Sequence, residues 1–415
     1  MVLLSFSAVL ALVILTLGAV CSLKDPRISL AASILALAIV LATATTTPQL
    51  FMYVLLVIAI GVLTVFSMSV KENQMTGVDY ALVALIAIIT VYIAYTSDIA
   101  FILAAFVIAS VPTYALIFVS TEGKSHVDVA IKYITFMVLA TVLFIIGALL
   151  LVFSSTTNGD TAIYTLGFVM LILGLGMEVG CAPMHEWVPD VFAAADPLPL
   201  SVIASITKIV PFVAAYKILL LTALPQLSKL TIFVAFIAVV SMFTGNIGAL
   251  TAKETGRILA YSTVANMGYI IATLAVITTK NFLYLAFAGA LLQLIVNAFG
   301  KASFFASIKT NGCSRPLMYL LALSFIGLPP LMGFWSKFFI LTSLVGAGLV
   351  WLAFLLIVNS AISIPYYLRI AKSLAVDTFP GKVTAIALVA SAAMLITVLP
   401  PNWFVGVAKM IIGGV

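Results

Sequence analysis

Apolar runs of about twenty residues follow one another from end to end of the chain, separated by short stretches that collect the charges, prolines and turn residues. Cut at those stretches, the sequence predicts fourteen helical spans, at approximately 2–22, 28–46, 49–70, 78–96, 98–119, 128–153, 161–184, 198–221, 226–251, 256–278, 281–308, 316–342, 346–372 and 382–411. Each is close to the roughly 20 residues that a helix needs to cross the hydrocarbon core of a bilayer. The alternating segments of about ten residues that mark an outer-membrane barrel are absent, so the backbone hydrogen bonds are expected within helices. The first span is kept as a helix rather than a signal peptide, because it has no basic leader and Val20 before Cys21 is a poor cleavage site.

Composition sharpens the picture. Of 415 residues 64% are hydrophobic and 8% charged, with a mean hydropathy of +1.32, against roughly 25% charged in an ordinary soluble domain. This excludes a water-soluble globule and a separate soluble catalytic domain; the fold class is an all-α integral membrane protein. Cys21, Cys181 and Cys313 form no CxxC pair, and His126 and His185 have no metal-ligand spacing, so no haem, zinc or iron–sulfur site is expected in the chain. Twelve Lys and Arg fall in connections after odd-numbered spans, and three (Lys229, Lys280 and Lys409) on the opposite side or in the tail. Because cytoplasmic loops accumulate basic residues, the odd connections read as cytoplasmic and both termini as outside, in a multi-pass inner-membrane protein. The net charge of +6 is this topology signal; the partner it implies is the lipid bilayer, and nucleic acid is not one.

Four lysines remain, Lys208, Lys217, Lys301 and Lys337, and Glu178 is the acid placed well inside a span. At a helix centre such a group costs about 2.5–3.5 kcal/mol on insertion scales, which makes an ion path the default hypothesis. Lys217 is the weak candidate, since it sits where a long side chain can snorkel to the interface. It also lies nine residues from Lys208, on the opposite helix face unless Pro211 kinks the helix. Two spans are interrupted by Gly and Pro beside an ionisable group, at Gly174, Gly176, Glu178, Gly180 and Pro183, and at Gly327, Pro329, Pro330, Gly333 and Lys337. Matching interruptions five helices apart are expected of an inverted repeat whose broken helices line a path. Buried ammonium and carboxyl groups lie closer in proton affinity than they do in water, so they can hand protons along polar residues and water. Ser262, Asn266, Gln293 and Asn297 are the leading candidates to complete that path, followed by Thr263, Ser303, Asn359 and Ser360. Ordinary helix packing is the competing reading for each.

These residues also carry a resemblance. EVGCAPMHEWVPDVFAAADPLPLS, from Glu178 to Ser201, resembles the broken seventh helix and following PxHxWxPDV…PxPxS loop of the antiporter-like subunits of respiratory complex I. RILAYSTVANMGY (Arg257 to Tyr269) resembles their tenth helix, NAFGKASFFAS (Asn297 to Ser307) the eleventh, and GLPPLMGFWSKF (Gly327 to Phe338) the broken twelfth. VNSAISIPYYLRIAKSL, from Val358 to Leu374, looks most like the N-type subunit; with Ser110 to Tyr114 and Ala130 to Tyr133, the likeness spans roughly 98–375. The resemblance implies two inverted five-helix repeats, at 78–225 (helices 4–8) and 226–375 (helices 9–13), flanked by 1–77 (helices 1–3) and 376–415 (helix 14). It aligns Lys208 with the eighth-helix lysine, Lys301 with the eleventh-helix lysine and Lys337 with the twelfth-helix exit residue. The family's fifth-helix glutamate falls at Val107, its seventh-helix lysine at Glu178 and its tenth-helix histidine at Asn266. The usual glutamate–lysine pair is therefore absent from the first half, and Glu178 with Lys208 is the expected substitute.

The resemblance implies a proton-translocating (or Na+-translocating) membrane subunit of a complex I-type pump. Flavin and iron–sulfur clusters would reside in peripheral redox subunits, and other antiporter-like and small membrane subunits would be neighbours. Subunits of membrane-bound hydrogenases, ferredoxin-linked complexes and Mrp-type Na+/H+ antiporters share the fold and are the near alternative. A chain ending soon after helix 14, without the long lateral helix of the L-type subunit, favours the N type. A non-pumping spacer, kept open by Val107 and Asn266, and a solitary transporter are readings of other classes.

Overall fold

The structure is a computed structural model that describes residues 2–70, 76–119, 124–157, 159–377 and 381–413. Long apolar helices open the chain: α1 (Val2–Cys21), α2 (Pro26–Ala44), α3 (Pro48–Met68), α4 (Thr76–Tyr95), α5 (Ile99–Val119), α6 (Lys124–Thr156) and α7 (Thr161–Val179). Two short helices, α8 (Trp187–Ala194) and α9 (Pro197–Ile203), lead through a 3-10 turn at Ile206–Lys208 into α10 (Ile209–Leu221). Then come α11 (Leu227–Thr251), α12 (Thr255–Ala272) and α13 (Lys280–Lys309). The rest of the chain folds as shorter helices set end to end: α14 (Arg315–Ile326) with α15 (Met332–Gly346), α16 (Val350–Ile362) with α17 (Ile364–Leu374), and α18 (Gly381–Leu395) with α19 (Trp403–Ile412). Two-residue strands at Cys313–Ser314 and Ala375–Val376 pair in parallel and tie the start of α14 to the end of α17.

Eleven segments among the described residues are long and apolar enough to cross a bilayer, and shorter apolar helices fill expected spans one, twelve and fourteen. The chain is thus a multi-pass helical membrane protein, as its hydrophobic pattern predicts. Lys71, one of the residues used to orient it, lies outside the described residues.

Caps and breakers explain where the helices begin and stop. Asp25, Asp160 and Asp196 accept backbone N–H bonds at the first turns of α2, α7 and α9, satisfying donors that no preceding turn can reach. Gly180 at φ 86° ends α7 and Gly327 at φ 93° ends α14, in the left-handed conformation that glycine adopts without steric cost. The sequence reading expects breaks in spans seven and twelve, and both occur. Three more occur where it expects continuous helices. Span eight parts at Ala204–Lys208 just before Pro211, and span thirteen at Ser363 just before Pro365. A proline lacks the N–H for the preceding turn and clashes with that turn's carbonyl, which places the discontinuity on its N-terminal side. Pro400 and Pro401 likewise split span fourteen.

The helices sort by burial into a centre and a shell. The apolar window within Pro197–Leu221 is buried throughout, whereas a third of that in α6 is, leaving most of the α6 window on the outside of the bundle. At one end of the bundle Asp190 binds Lys132 of α6 at 2.6 Å and lies 3.9 Å from Arg257 of α12, while Asp196 pairs with Lys309 of α13. The Asp190 side chain is half exposed, so these contacts position α8 and α9 rather than stabilise them by much.

Lys217 departs from its expected place. Its side chain does not snorkel outward: it is buried, and Nζ donates to the carbonyls of Ile93, Ala94 and Thr96 at 2.9, 3.1 and 2.6 Å. It caps the C-terminus of α4, where carbonyls have no partner in a following turn. Lys217→Met is expected to leave those carbonyls unpaired and destabilise the protein by roughly 1–3 kcal/mol. The expected result is a lower thermal unfolding midpoint in detergent with transport per folded molecule unchanged.

Candidate functional site

Each broken helix exposes backbone carbonyls inside the bundle, and in both halves a buried lysine takes them up. Where α7 ends, the carbonyl of Glu178 accepts from Lys208 Nζ at 2.8 Å. The Trp187 indole donates to the carbonyl of Met177 at 2.9 Å, and its ring lies 4.9 Å beneath the Lys208 ammonium, a cation–π contact strengthened by exclusion of water. Where α14 ends, the carbonyls of Phe325 and Ile326 accept from Lys337 Nζ at 2.8 and 2.9 Å, and Ser360 Oγ completes the set at 2.8 Å. The geometry repeats: Glu178 and Phe325 each stand two residues before the left-handed glycine that ends their helix. Three acceptors match the three protons of an ammonium at Lys337, whereas Lys208 has one acceptor and an aromatic face.

Glu178 is buried at 6% exposure. Its Oε1 accepts from Ser110 Oγ at 2.8 Å, and its Oε2 has no hydrogen-bond partner. The expected carboxylate–ammonium pair with Lys208 is therefore not the contact formed: Lys208 meets the Glu178 backbone, while the side chain turns to α5. One turn before Ser110, the position of the family's glutamate holds the partly buried Val107. The buried carboxylate stands on α7, and α5 supplies a hydroxyl for it. Thr113 and Tyr133 extend this cluster, with Tyr133 donating to Thr113 Oγ1 at 2.8 Å.

Lys301 is fully buried about two turns before the C-terminal end of α13. Its Nζ donates to the carbonyl of Leu259 and to Ser262 Oγ on α12. Asn266, one turn on, donates to the Ser262 carbonyl at 2.6 Å and to the Tyr367 hydroxyl at 2.8 Å, and accepts from Gln293 Nε2 at 2.6 Å. Ser336 Oγ donates to Gln293 Oε1, bringing the network to the residue next to Lys337. A second strand of polar contacts runs through tyrosines. The ring of Tyr367, whose hydroxyl accepts from Asn266, lies 4.5 Å from that of Tyr366; Tyr366 donates to Asn246 Oδ1 at 2.9 Å, and Asn246 donates to Tyr269 at 3.1 Å. The Tyr269 ring lies 5.4 Å from Lys337 Nζ. Toward the first half, Asn297 donates to the carbonyl of Ala204 at 2.9 Å. That carbonyl is freed by the break before Pro211, and Asn297 stands one turn before Lys301.

The structure thus buries Glu178, Lys208, Lys301 and Lys337, and places Ser262, Asn297 and Ser360 in contact with them or with the helix breaks, while Asn266 and Gln293 bond each other between Ser262 and Ser336. Thr263 and Ser303 instead bond carbonyls of their own helices, the packing role. Sequence reasoning did not single out Ser110, Trp187, Ser336, Asn246, Tyr366 or Tyr367 as site residues. Ser110, Trp187 and the two tyrosines lie within the recognised motifs, but a hydroxyl in an apolar helix reads as ordinary packing until its partner is known. Among the described residues no three His, Cys, Asp or Glu side chains converge to hold a metal ion.

Residues 96–363 match the family model described as NADH:quinone oxidoreductase/Mrp antiporter, transmembrane. F(420)H(2) dehydrogenase subunit N of Methanosarcina mazei is 28% identical over 413 residues, covering 87% of this chain and 82% of the relative. NADH-quinone oxidoreductase subunit N of Laribacter hongkongensis is 29% identical over 66% of this chain, and the chain spans less than two thirds, 62%, of that relative. Among solved structures, a chain of respiratory complex I from Thermus thermophilus superposes with a TM-score of 0.74 at 24% identity, covering 94% of this chain and 97% of that one. A chain of the Mrp complex from Dietzia superposes with a TM-score of 0.82 at 16% identity, covering 99% and 96%. Both superpositions establish the fold.

The Ser110–Glu178 contact has a direct test. Ser110→Ala and Glu178→Gln, made singly and together, are expected to show a coupling of about 1–2 kcal/mol in a double-mutant cycle of unfolding in detergent. Additive effects would mean that the hydroxyl does not hold the carboxylate.

Proposed function

The chain belongs to the NADH:quinone oxidoreductase/Mrp antiporter transmembrane family, and from that premise we propose that it is a proton-translocating subunit of a redox-driven membrane complex, most like subunit N. The observation that supports this reading is the run of polar contacts from Lys301 through Ser262, Asn266 and Gln293 to Ser336, the residue before the buried Lys337, inside an otherwise apolar bundle. Burying such groups costs free energy that packing alone does not call for.

In this reading Lys301 exchanges protons with Ser262, and the hydroxyls of Ser262, Tyr367 and Tyr366, with water, carry them toward Lys337. The amides of Asn266 and Gln293 do not relay protons; they orient the hydroxyls on either side. Lys337, with three acceptors around Nζ, is the holding site from which the proton leaves. In the first half Glu178, with Oε2 open, takes up a proton beside Lys208, and the charge on one group alters the other's hold on its proton. Asn297 links the two halves. The matched helix breaks support reading 78–225 and 226–375 as the two repeats, flanked by 1–77 and 376–415. The Lys and Arg distribution supports an inner-membrane location with both termini outside. Electron transfer is placed in partner subunits that carry flavin and iron–sulfur clusters. Relatives named for NADH and for F(420)H(2) oxidation support a membrane subunit shared by complexes with different donors.

The test uses the intact complex in proteoliposomes, with electron transfer and proton uptake measured together. Lys301→Met and Lys337→Met are each expected to lower protons moved per electron severalfold. Glu178→Gln is expected to reduce the ratio in part, because it removes one half alone. An unchanged ratio in all three variants would overturn the reading in favour of a spacer. Lys301→Arg and Lys337→Arg, which keep the charge, control for failed assembly.

A further inference from the structure

A groove of about 840 Å3 runs along the outside of the bundle between α2, α3 and α18. It lies outside residues 96–363, the segment that matches the family model. Its floor is one stripe of α3, from Leu55 to Ser69 through Ile58, Val62 and Phe66. At 1.5 Å per residue that stripe is about 21 Å long, somewhat more than one leaflet's share, about 15 Å, of a bilayer's hydrocarbon core. The floor is apolar for its whole length until it reaches Ser69. There Arg27, at the start of α2, and Lys382, at the start of α18, flank the mouth. They are the charged residues among the described lining, and among the described residues neither forms a salt bridge. Lys382 Nζ donates to the Ser69 carbonyl at 2.8 Å, which fixes its position and leaves its other protons free. Arg27 is exposed, and Asp25 beside it is engaged in capping α2 through the Arg27 N–H.

An apolar slot as deep as one leaflet, with two cations at its headgroup end, has the shape and charge of a membrane lipid with an anionic head. A neighbouring helix would also fill the slot, but it would not call for two cations at the interface without an acid among the described lining to balance them. We propose that this groove binds an anionic phospholipid, its chain laid along Leu55 to Ser69 and its phosphate held by Arg27 and Lys382. The guanidinium offers a planar fork to the phosphate oxygens and the ammonium a point charge beside it. The mouth lies on the side that holds most of the chain's Lys and Arg, where the cytoplasmic leaflet carries its negative surface charge.

The test uses the intact complex in nanodiscs, with phosphatidylglycerol or phosphatidylcholine carrying a photoreactive group in the acyl chain, and peptide mapping of the cross-links. Phosphatidylglycerol is expected to label peptides of α2, α3 and α18 about twenty-five-fold more than phosphatidylcholine does, since each of the two basic contacts near a membrane surface is worth about fivefold. Arg27→Gln, at an exposed position, is expected to remove most of that preference while labelling elsewhere is unchanged. Lys382→Gln is expected to do the same, with the unfolding midpoint reporting any cost of losing its bond to Ser69. Equal labelling by the two lipids would overturn the proposal. So would a polypeptide of a neighbouring subunit cross-linking to the groove in place of lipid.

Discussion

A backbone carbonyl released inside a bilayer has to find a donor in the protein, and this constraint organises the centre of the molecule. Every helix break in the bundle frees carbonyls that water cannot reach. At two of the breaks the donor is a buried lysine, Lys208 at the end of α7 and Lys337 at the end of α14, and a third buried lysine, Lys217, does the same at the C-terminus of α4. The arrangement is mutual, because an ammonium in hydrocarbon is as costly as an unpaired carbonyl. Break and lysine therefore depend on each other, and a proton-binding group ends up where the backbone is already open. Lys217 shows that the pairing by itself is structural. What distinguishes Lys337 is that hydroxyls and amides continue from it toward a second buried lysine.

The two halves use the same device with different completeness. In the second half the polar contacts run from Lys301 through Ser262, Asn266, Gln293 and Ser336 to the neighbour of Lys337. In the first half the connected groups are fewer: Ser110 donates to one oxygen of Glu178, and Lys208 bonds a single carbonyl. Val107 on α5 carries no polar group, and the hydroxyl of Ser110 makes the polar contact between α5 and α7. The first half thus holds its charge on α7, beside the break, rather than sharing it between two helices.

The family accommodates such differences because its scaffold does not depend on them. Chains of complex I and of an Mrp complex superpose on this one over nearly its full length at 24% and 16% identity. What persists at that distance is the fold.

The amino-acid sequence by itself determined the membrane class, the broken seventh and twelfth helices and the burial of Glu178, Lys208, Lys301 and Lys337, but not that of Lys217 or Asp79. These follow from local properties: an apolar run long enough to cross, a glycine or proline that cannot continue a helix, a charge inside a run that should have none. Pro211 and Pro365 were also visible, and the missing N–H and ring clash of each set the break on its N-terminal side. The tertiary structure decided the partners. Glu178 meets Ser110 across 68 residues, Lys217 meets the end of α4 across more than 120, and Asn266 meets Tyr367 across 101. In an apolar helix every face is hydrophobic, so periodicity does not show which face turns inward. A hydroxyl or amide acquires its role only when packing sets it within hydrogen-bond distance of a group from another helix.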